Sequence, residues 1–382
     1  MRYRRLGKTG LMVSEIGFGA EWMERHTAQE CRAVLERAEA LGINILDCWM
    51  SEPSVRTNLG LALAGRRERW YIQGHIGSTW QDGQYVRSRD VAKCREAFED
   101  LLDRLQTDYI DLGMIHFVDT ESDWDAAMEG PYIKYVMELK ERGRIRHIGM
   151  STHNPAIAKR AVEHGLVEML LFSVNPAFDM HPATDDLDTY FDWENYREDL
   201  RGIDPQRAEL YKLCERHDVG LTVMKPYAGG RLFDARRSPF GVALTPVQCI
   251  HYCLTRPAVA AVMAGYDTPE HVEQAAAYET AADSEKDYAS VLASAPKHTF
   301  GHGECTYCGH CKPCPANIDI AMVNKYYDLA SMQSEVPATV RAHYEALEHH
   351  ADECIGCKSC EGRCPFGVEI ADRMGKAARL FR

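Results

Sequence analysis

The sequence predicts an α/β protein: a (β/α)8 TIM barrel followed by a small, largely helical, cysteine-rich domain. Three observations carry this. Residues 1–278 alternate short apolar runs with longer helical patterns, eight times over, which matches a barrel in both number and length. Polar groups close most of the apolar runs, as they do where chemistry sits at the C-terminal ends of barrel strands. Eight of the fourteen cysteines fall in the last 78 residues.

The expected strands are Ile16–Gly19, Ile43–Asp47, Trp70–His75, Tyr109–His116, Ile145–Met150, Met169–Val174, Leu221–Lys225 and Ala260–Ala264. Expected helices between them include Ala28–Leu41, Ser88–Leu105, Pro131–Arg142, Pro155–His164, Pro205–His217 and Pro246–Leu254. Four helix starts are marked by a capping residue before an N1 proline: Asn154-Pro155, Asp204-Pro205, Thr245-Pro246 and Thr268-Pro269. Strand ends carry Asp47, His75, His116, Ser151, Asn175 and Lys225. Arg4 and Arg5 have no apolar run after them, so they belong to an N-terminal strand or hairpin and not to an export signal. The acidic, aromatic stretch from His181 to Arg201, which includes Tyr190, Phe191 and Trp193, follows strand six. It is either a lid over the active-site face or a solvated excursion. Residues 279–300 form a connector. Residues 301–382 form the second domain, with a helical pattern over Ile320–Leu347 between its two cysteine runs.

Those runs are Cys305-x2-Cys308-x2-Cys311-x2-Cys314-Pro315 and Cys354-x2-Cys357-x2-Cys360-x3-Cys364-Pro365. The second has the spacing of bacterial ferredoxins; the first differs by one residue at its last interval. Two such runs predict two [4Fe–4S] clusters. Three cysteines of each run and the fourth of the other serve each cluster in ferredoxins. The expected sets are therefore Cys305, Cys308, Cys311 and Cys364, and Cys354, Cys357, Cys360 and Cys314. Two zinc sites are the competing assignment, although zinc has no need of the cysteine–proline element. The other six cysteines are scattered and read as buried structural thiols.

The net charge of −13 excludes a basic nucleic-acid-binding face. No apolar run approaches the roughly 20 residues that span a bilayer. Cysteines used for metal and not for disulfides point to the reducing cytoplasm.

Residues 1–275 resemble the aldo-keto reductases. The resemblance runs through Tyr3–Gly19, Gly42-Ile-Asn-Ile-Leu-Asp47, Asp108–His116 and Gly143–Ser151. Met224-Lys-Pro-Tyr-Ala-Gly-Gly-Arg-Leu232 is similar to the branch whose C-terminal extension has the same two cysteine runs. The resemblance implies hydride transfer from NADPH to a carbonyl by a tetrad of Asp, Tyr, Lys and His. Asp47 and His116 match it. Glu52 falls where the tyrosine belongs, and His75 where the lysine belongs. Asp47, Glu52, His75 and His116 are therefore the candidate catalytic residues. A buried Glu52 with a raised pKa would serve as acid, and His75 paired with Asp47 would replace the ammonium. Metal binding by this set and a degenerate pocket remain open beside that reading.

The implied cofactor site is partly eroded. Leu171, His271 and Ala275 stand at or near positions where the family has a glutamine, a basic residue and an asparagine. Ser151, Asn175, Lys225, Tyr227, Gly229 and Gly230 are the remaining candidates for NADP(H) or NAD(H). A flavin would reconcile two-electron chemistry with one-electron clusters, though no motif demands one. The expected function is an iron–sulfur oxidoreductase acting on a small organic substrate in the barrel mouth, with a redox partner protein. The alternatives are an NADPH-dependent carbonyl reductase with accessory clusters, and a scaffold or electron carrier without catalysis.

Overall fold

The computed structural model describes residues 1–192, 196–197, 200–298, 303–332 and 335–382, with Arg25 by its backbone alone. Eight parallel strands close a barrel in which consecutive strands are neighbours throughout. They are β1 (Ile16–Gly19), β2 (Ile45–Cys48), β3 (Tyr71–Ile76), β4 (Ile110–Ile115), β5 (Ile145–Thr152), β6 (Met169–Ser173), β7 (Gly220–Met224) and β8 (Val259–Gly265). The ring helices are α1 (Ala28–Ala40), α2 (Pro53–Leu63), α3 (Val91–Leu105), α4 (Pro131–Glu141), α5 (Pro155–His164), α6 (Pro205–Arg216), α7 (Pro246–Leu254) and α8 (Pro269–Ala276).

Local chemistry sets the helix starts. Asn154, Asp204, Thr245 and Thr268 each accept a backbone N–H of the first turn, beside a proline that has no N–H to satisfy. Helix α3 starts at Val91, capped by Asp90, and not at Ser88. The preceding residues form a hairpin that was not foreseen, pairing Ser78–Gln81 with Gln84–Arg87. Its turn is Asp82-Gly83, both at positive φ. This is the combination that two-residue hairpins favour.

A second hairpin, Tyr3–Arg5 with Met12–Ser14, closes the bottom of the barrel. Leu6 and Val13 plug the interior with Ile45, Leu112, Met114, Met169 and Met263. Arg4 donates to Glu15 at 2.7 Å and to the Leu254 and Val259 carbonyls, and Arg5 grips Asp218 through two bonds of 2.7 Å. Gly149 leaves room for the methionines: a Cβ there would lie 2.4 Å from the Met169 sulfur.

The cysteine-rich domain carries α9 (Ile320–Ser331), α10 (Ala338–Glu345) and α11 (Ile370–Leu380). The single helical pattern expected over Ile320–Leu347 is thus two helices, with Pro337 at the N-cap of the second. Ala289–Ala293 is the only α-helix described in the connector. Among the described residues, no helix is long and apolar enough to cross a membrane.

Candidate active site and metal centre

Asp47, His75 and His116 meet at the C-terminal ends of β2, β3 and β4, each almost fully buried. His75 Nε2 lies 2.9 Å from Asp47 Oδ1, which also accepts from Gln73 Nε2 at 2.8 Å. Gln73 and His75 alternate along β3 and so share the inward face. His75 Nδ1 lies 2.8 Å from His116 Nδ1. His116 Nε2 lies 2.6 Å from the Tyr85 hydroxyl. The four side chains form one unbroken line, Asp47–His75–His116–Tyr85.

Tyr85 was missed in the sequence. It sits on the Ser78–Arg87 hairpin, and the Asp82-Gly83 turn was the signal that could have found it. Arg89 fixes the return of the hairpin by donating to the His116 and Phe117 carbonyls. Trp49 stacks on His116 at a 10° interplanar angle and meets Tyr85 edge-on at 5.4 Å. Burial pushes the Tyr85 phenol up to about 12, so it stays protonated at neutral pH. Burial, then the neighbouring His75 and Arg89, hold His116 well below the usual imidazole range.

Glu52 departs from expectation. Its carboxylate caps α2, accepting from Val55 N at 2.8 Å and from Ser54 Oγ at 2.5 Å. Burial would raise its pKa, but these hydrogen bonds outweigh it and the net direction is down. A proton-holding acid at neutral pH is therefore not what Glu52 supplies. The metal alternative also loses ground: His75 and His116 direct ring nitrogens at each other. Among the described residues no three His, Cys, Asp or Glu converge on a single ion.

Beside this line lies a second buried pair. Asp119 Oδ2 is 2.9 Å from His153 Nδ1, and Asp119 Oδ1 accepts from His153 N and Thr152 Oγ1. Burial would raise the Asp119 carboxyl, but His153 and these bonds hold it below the usual range.

The candidate nicotinamide residues divide. Ser151 Oγ accepts the Phe117 N–H at 2.8 Å and retains its own proton to donate. Asn175 is buried, and its side chain is committed to backbone: Oδ1 caps the turn at Pro176–Asp179 and Nδ2 donates to the Lys225 carbonyl at 2.9 Å. It presents no amide to a ligand, contrary to expectation. The Lys225 ammonium lies 5.9 Å from the Phe191 ring. Tyr227 packs on Phe233 at 4.9 Å, and Ala228, Gly229 and Gly230 continue as a left-handed turn.

Of the acidic stretch after β6, residues 181–192, 196–197 and 200–201 are described: Tyr190 and Tyr196 are buried, while Asp185, Asp186 and Asp188 are exposed. Tyr190 is fully buried, with its ring 5.0 Å from Phe178 and its hydroxyl toward the His153 carbonyl. Trp193 lies outside the described residues.

The eight clustered cysteines line two cavities. One is ringed by Cys305, Cys308, Cys311 and Cys364, with Phe366, Val368 and Ile370. The other is ringed by Cys314, Cys354, Cys357 and Cys360, with Ile318, Ile320 and Met374. Each therefore joins three cysteines of one run to the fourth of the other. The two halves repeat in backbone as well. Positive φ recurs before and after the second cysteine (Tyr307 and Gly309; Gly356 and Lys358) and three residues past the fourth (Asn317; Gly367). Helix α9 or α11 then begins six residues after that cysteine. Four sulfurs around an apolar cavity suit a four-iron cubane; a zinc ion would need them converged at about 2.3 Å.

The cavities differ in setting. Around the second, Cys357 is exposed and Ile355 is 69% exposed. The first lies against the barrel: His251 Nε2 is 3.5 Å from the Cys308 carbonyl, and the Tyr288 hydroxyl and Arg256 donate to the Thr306 carbonyl. Lys325 of α9 pairs with Glu215 of α6 at 3.3 Å. The other six cysteines are buried, and burial pushes Cys31 and Cys94 up to about 11 and Cys48 up to about 12, as expected of inert thiols.

Residues 15–245 match the model of the aldo/keto reductase family, and residues 304–369 match a 4Fe-4S dicluster domain. An uncharacterized oxidoreductase of Bacillus subtilis, YqkF, is 29% identical over 290 residues, covering 72% of this chain and 90% of its own length. The protein tas of Escherichia coli is 28% identical over 179 residues, covering 40% of this chain and 52% of its own. Among solved structures, the aldo-keto reductase AKR11C1 of Bacillus halodurans in its holo form superposes with a TM-score of 0.58 at 24% identity, over 75% of this chain and 94% of its own. A putative aldo-keto reductase from Pseudomonas aeruginosa does so with a TM-score of 0.55 at 26% identity, over 73% and 94%. The chain belongs to the aldo/keto reductase family and carries a C-terminal 4Fe-4S dicluster domain.

Proposed function

We propose that this protein is an iron–sulfur oxidoreductase of the aldo-keto-reductase type that acts on a small organic substrate in the barrel mouth, with Tyr85 as its proton donor. The observation that carries this is the hydrogen-bonded line Asp47–His75–His116–Tyr85. Hydrogen positions follow from the partners, since Asp47 as a carboxylate only accepts. His75 Nε2 therefore donates to Asp47. The 2.8 Å contact between His75 Nδ1 and His116 Nδ1 holds one proton between the two rings.

With no added proton, His116 donates to His75, and Tyr85 donates to His116. With one added proton, the line reverses. His75 carries two N–H groups and is neutralised by Asp47. It donates to His116, and His116 Nε2–H donates to the Tyr85 oxygen. The phenol O–H is then free to point into the mouth. When Tyr85 gives its proton to a substrate oxygen, each group takes one from its neighbour, and the imidazolium at His75 is discharged. Asp47 and His75 thus do the work of an aspartate–lysine pair, and Tyr85 reaches from the hairpin to do the work of the tyrosine absent at Glu52. General acids of this kind contribute roughly 10²–10⁴-fold in rate.

When bound, the two [4Fe–4S] clusters supply single electrons. Cys305, Cys308, Cys311 and Cys364 would hold the one beside the barrel, and Cys314, Cys354, Cys357 and Cys360 the one nearer solvent. The exposed surface at Ile355 and Cys357 would meet a redox partner protein, in the reducing cytoplasm that free thiolates require. A second reading, an NADPH-dependent carbonyl reductase with accessory clusters, is favoured by Ser151, which holds a hydroxyl at the end of β5 where a carboxamide would lie.

The test is to purify the chain without oxygen, quantify iron and zinc, and record absorbance before and after NADPH and then after a one-electron reductant. Iron with a cluster band that bleaches only with the one-electron reductant supports the first reading. Tight NADPH binding with no bleaching supports the second. Zinc at full occupancy without iron overturns the cluster assignment, and a flavin band would identify an intermediary.

A further inference from the structure

Two arginines are fully enclosed beside the β6 end of the barrel and α7, and among the described residues only one has a counter-ion. Arg207 pairs with Asp179 at 3.2 Å. Arg256 is 2% exposed and forms no ion pair with any described residue. Its guanidinium donates to Thr255 Oγ1 at 3.0 Å, to the Tyr288 hydroxyl at 3.3 Å and to the Thr306 carbonyl. It lies 4.7 Å from the Tyr252 ring and 5.9 Å from the Tyr307 ring. Its Nε is buried without a hydrogen-bond partner among the described residues. The carboxylate that influences it, Asp179, is already engaged by Arg207, Tyr211 and Tyr252.

A buried cation without an anion is strongly unfavourable, and ring faces and neutral oxygens offset only part of the cost. The remaining anion has one obvious source. Thr306 and Tyr307 stand between Cys305 and Cys308, on the rim of the cavity beside the barrel. Four thiolates around a cubane core leave a net negative charge there, and one more on reduction.

We propose that Arg256 is the charge partner of the barrel-side cluster: its missing counter-ion is the cluster held by Cys305, Cys308, Cys311 and Cys364. The inference rests on the cluster assignment proposed above. It gives Arg256 two consequences. It anchors the Thr306 carbonyl and so the loop between the first two ligands, and it favours the reduced state of this cluster over the solvent-side one. Charge close to a cluster is one of the levers that set its potential.

The test uses the full chain, purified without oxygen, with iron quantified and a redox titration followed by absorbance and electron spin resonance. The wild type should show two reduction steps. In Arg256→Gln, one step should move to more negative potential by about 59 mV, a tenfold fall in its reduced-to-oxidised ratio at fixed poise. The other step should stay in place. Arg256→Lys, which keeps the charge, and Tyr288→Phe, which removes the hydroxyl bonded to Thr306 and Arg256 but no charge, should each change the ratio less than about threefold. An iron-loaded Arg256→Gln chain with both steps unmoved overturns the proposal. If that variant does not retain iron, Arg256→Lys decides: a tenfold shift there shows that guanidinium geometry, and not charge, is what matters. A wild type without iron is a different failure, that of the cluster assignment itself.

Discussion

The sharpest prediction concerns Tyr85→Phe set against Glu52→Gln. Removing the Tyr85 hydroxyl deletes the group 2.6 Å from His116 Nε2 and leaves the ring against Trp49. The structural cost is therefore small. One part-buried hydrogen bond is lost and one imidazole nitrogen loses its partner, a total of about 1–3 kcal/mol. The functional cost is large: without a terminal acid, turnover should fall by roughly 10²–10⁴-fold, about 3–5 kcal/mol of transition-state stabilisation. Glu52→Gln removes a charge that serves the first turn of α2, costs about 1 kcal/mol of stability, and should leave turnover within about threefold. The assay is anaerobic reduction of a panel of small aldehydes and ketones by the cluster-loaded chain, with a one-electron reductant in excess as the electron source. Nitrogen-15 spectra of its histidines serve as a second readout, because loss of the Tyr85 bond should move the His116 Nε2 resonance. Tyr85→Phe at wild-type turnover, with Glu52→Gln a hundredfold down, would overturn the relay and restore the carboxylate as acid.

Three further predictions follow from the same contacts. Cys364→Ser and Cys314→Ser should each remove about half of the bound iron and spare the remaining cluster's spin signal, because each is the one cysteine its run lends to the other's cavity. Loss of all iron from both variants would contradict that division. His116 is held low in the folded chain, so an unfolded chain takes up a proton below about pH 6.5 that the folded one refuses. Stability should fall as pH drops through that point, by up to about 1.4 kcal/mol per pH unit from this group. His116→Gln should show a correspondingly shallower slope in denaturant titrations at pH 7 and pH 5.5. Asp179→Ala should destabilise by about 3–5 kcal/mol, read by thermal denaturation, because it strands Arg207 without a counter-ion.

The barrel was legible because its strands are apolar runs closed by polar residues and its helices announce themselves with caps and N1 prolines. Expected and observed bounds differ by a residue or two where runs fray, as at Ile43 against Ile45. The cysteine runs were legible because ligand spacing is local. The hydrogen-bonded line was half legible. Asp47, His75 and His116 close consecutive strands, so topology alone brings them together. Tyr85 reaches His116 from 31 positions away, on a hairpin in the stretch between His75 and Ser88 where the sequence reading places no element. Glu52 misled because its place in the chain resembles the missing tyrosine. Its neighbour Pro53 was the local sign that it would cap a helix. Asn175 misled in the same way, standing at a strand end yet spending its amide on the Pro176 turn and on Lys225.

These two errors share a cause, and it bears on how the site works. A strand-end position places a residue at the mouth but does not say whether its polar atoms are free. Asp47, His75 and His116 spend theirs on one another, on Gln73 and on Tyr85, while Glu52 and Asn175 spend theirs chiefly on nearby backbone. Burial pushes Tyr85 up to about 12, which makes it a weak donor by itself. A weak donor is effective only if its proton is replaced as it leaves. In the proposed relay the two-histidine line behind Tyr85 does that, with Asp47 balancing the charge at its far end. On the proposed reading, a histidine at position 75 is coherent with a tyrosine on the hairpin as proton donor: a fixed ammonium can polarise a neighbour, but an imidazole with two nitrogens can pass a proton along.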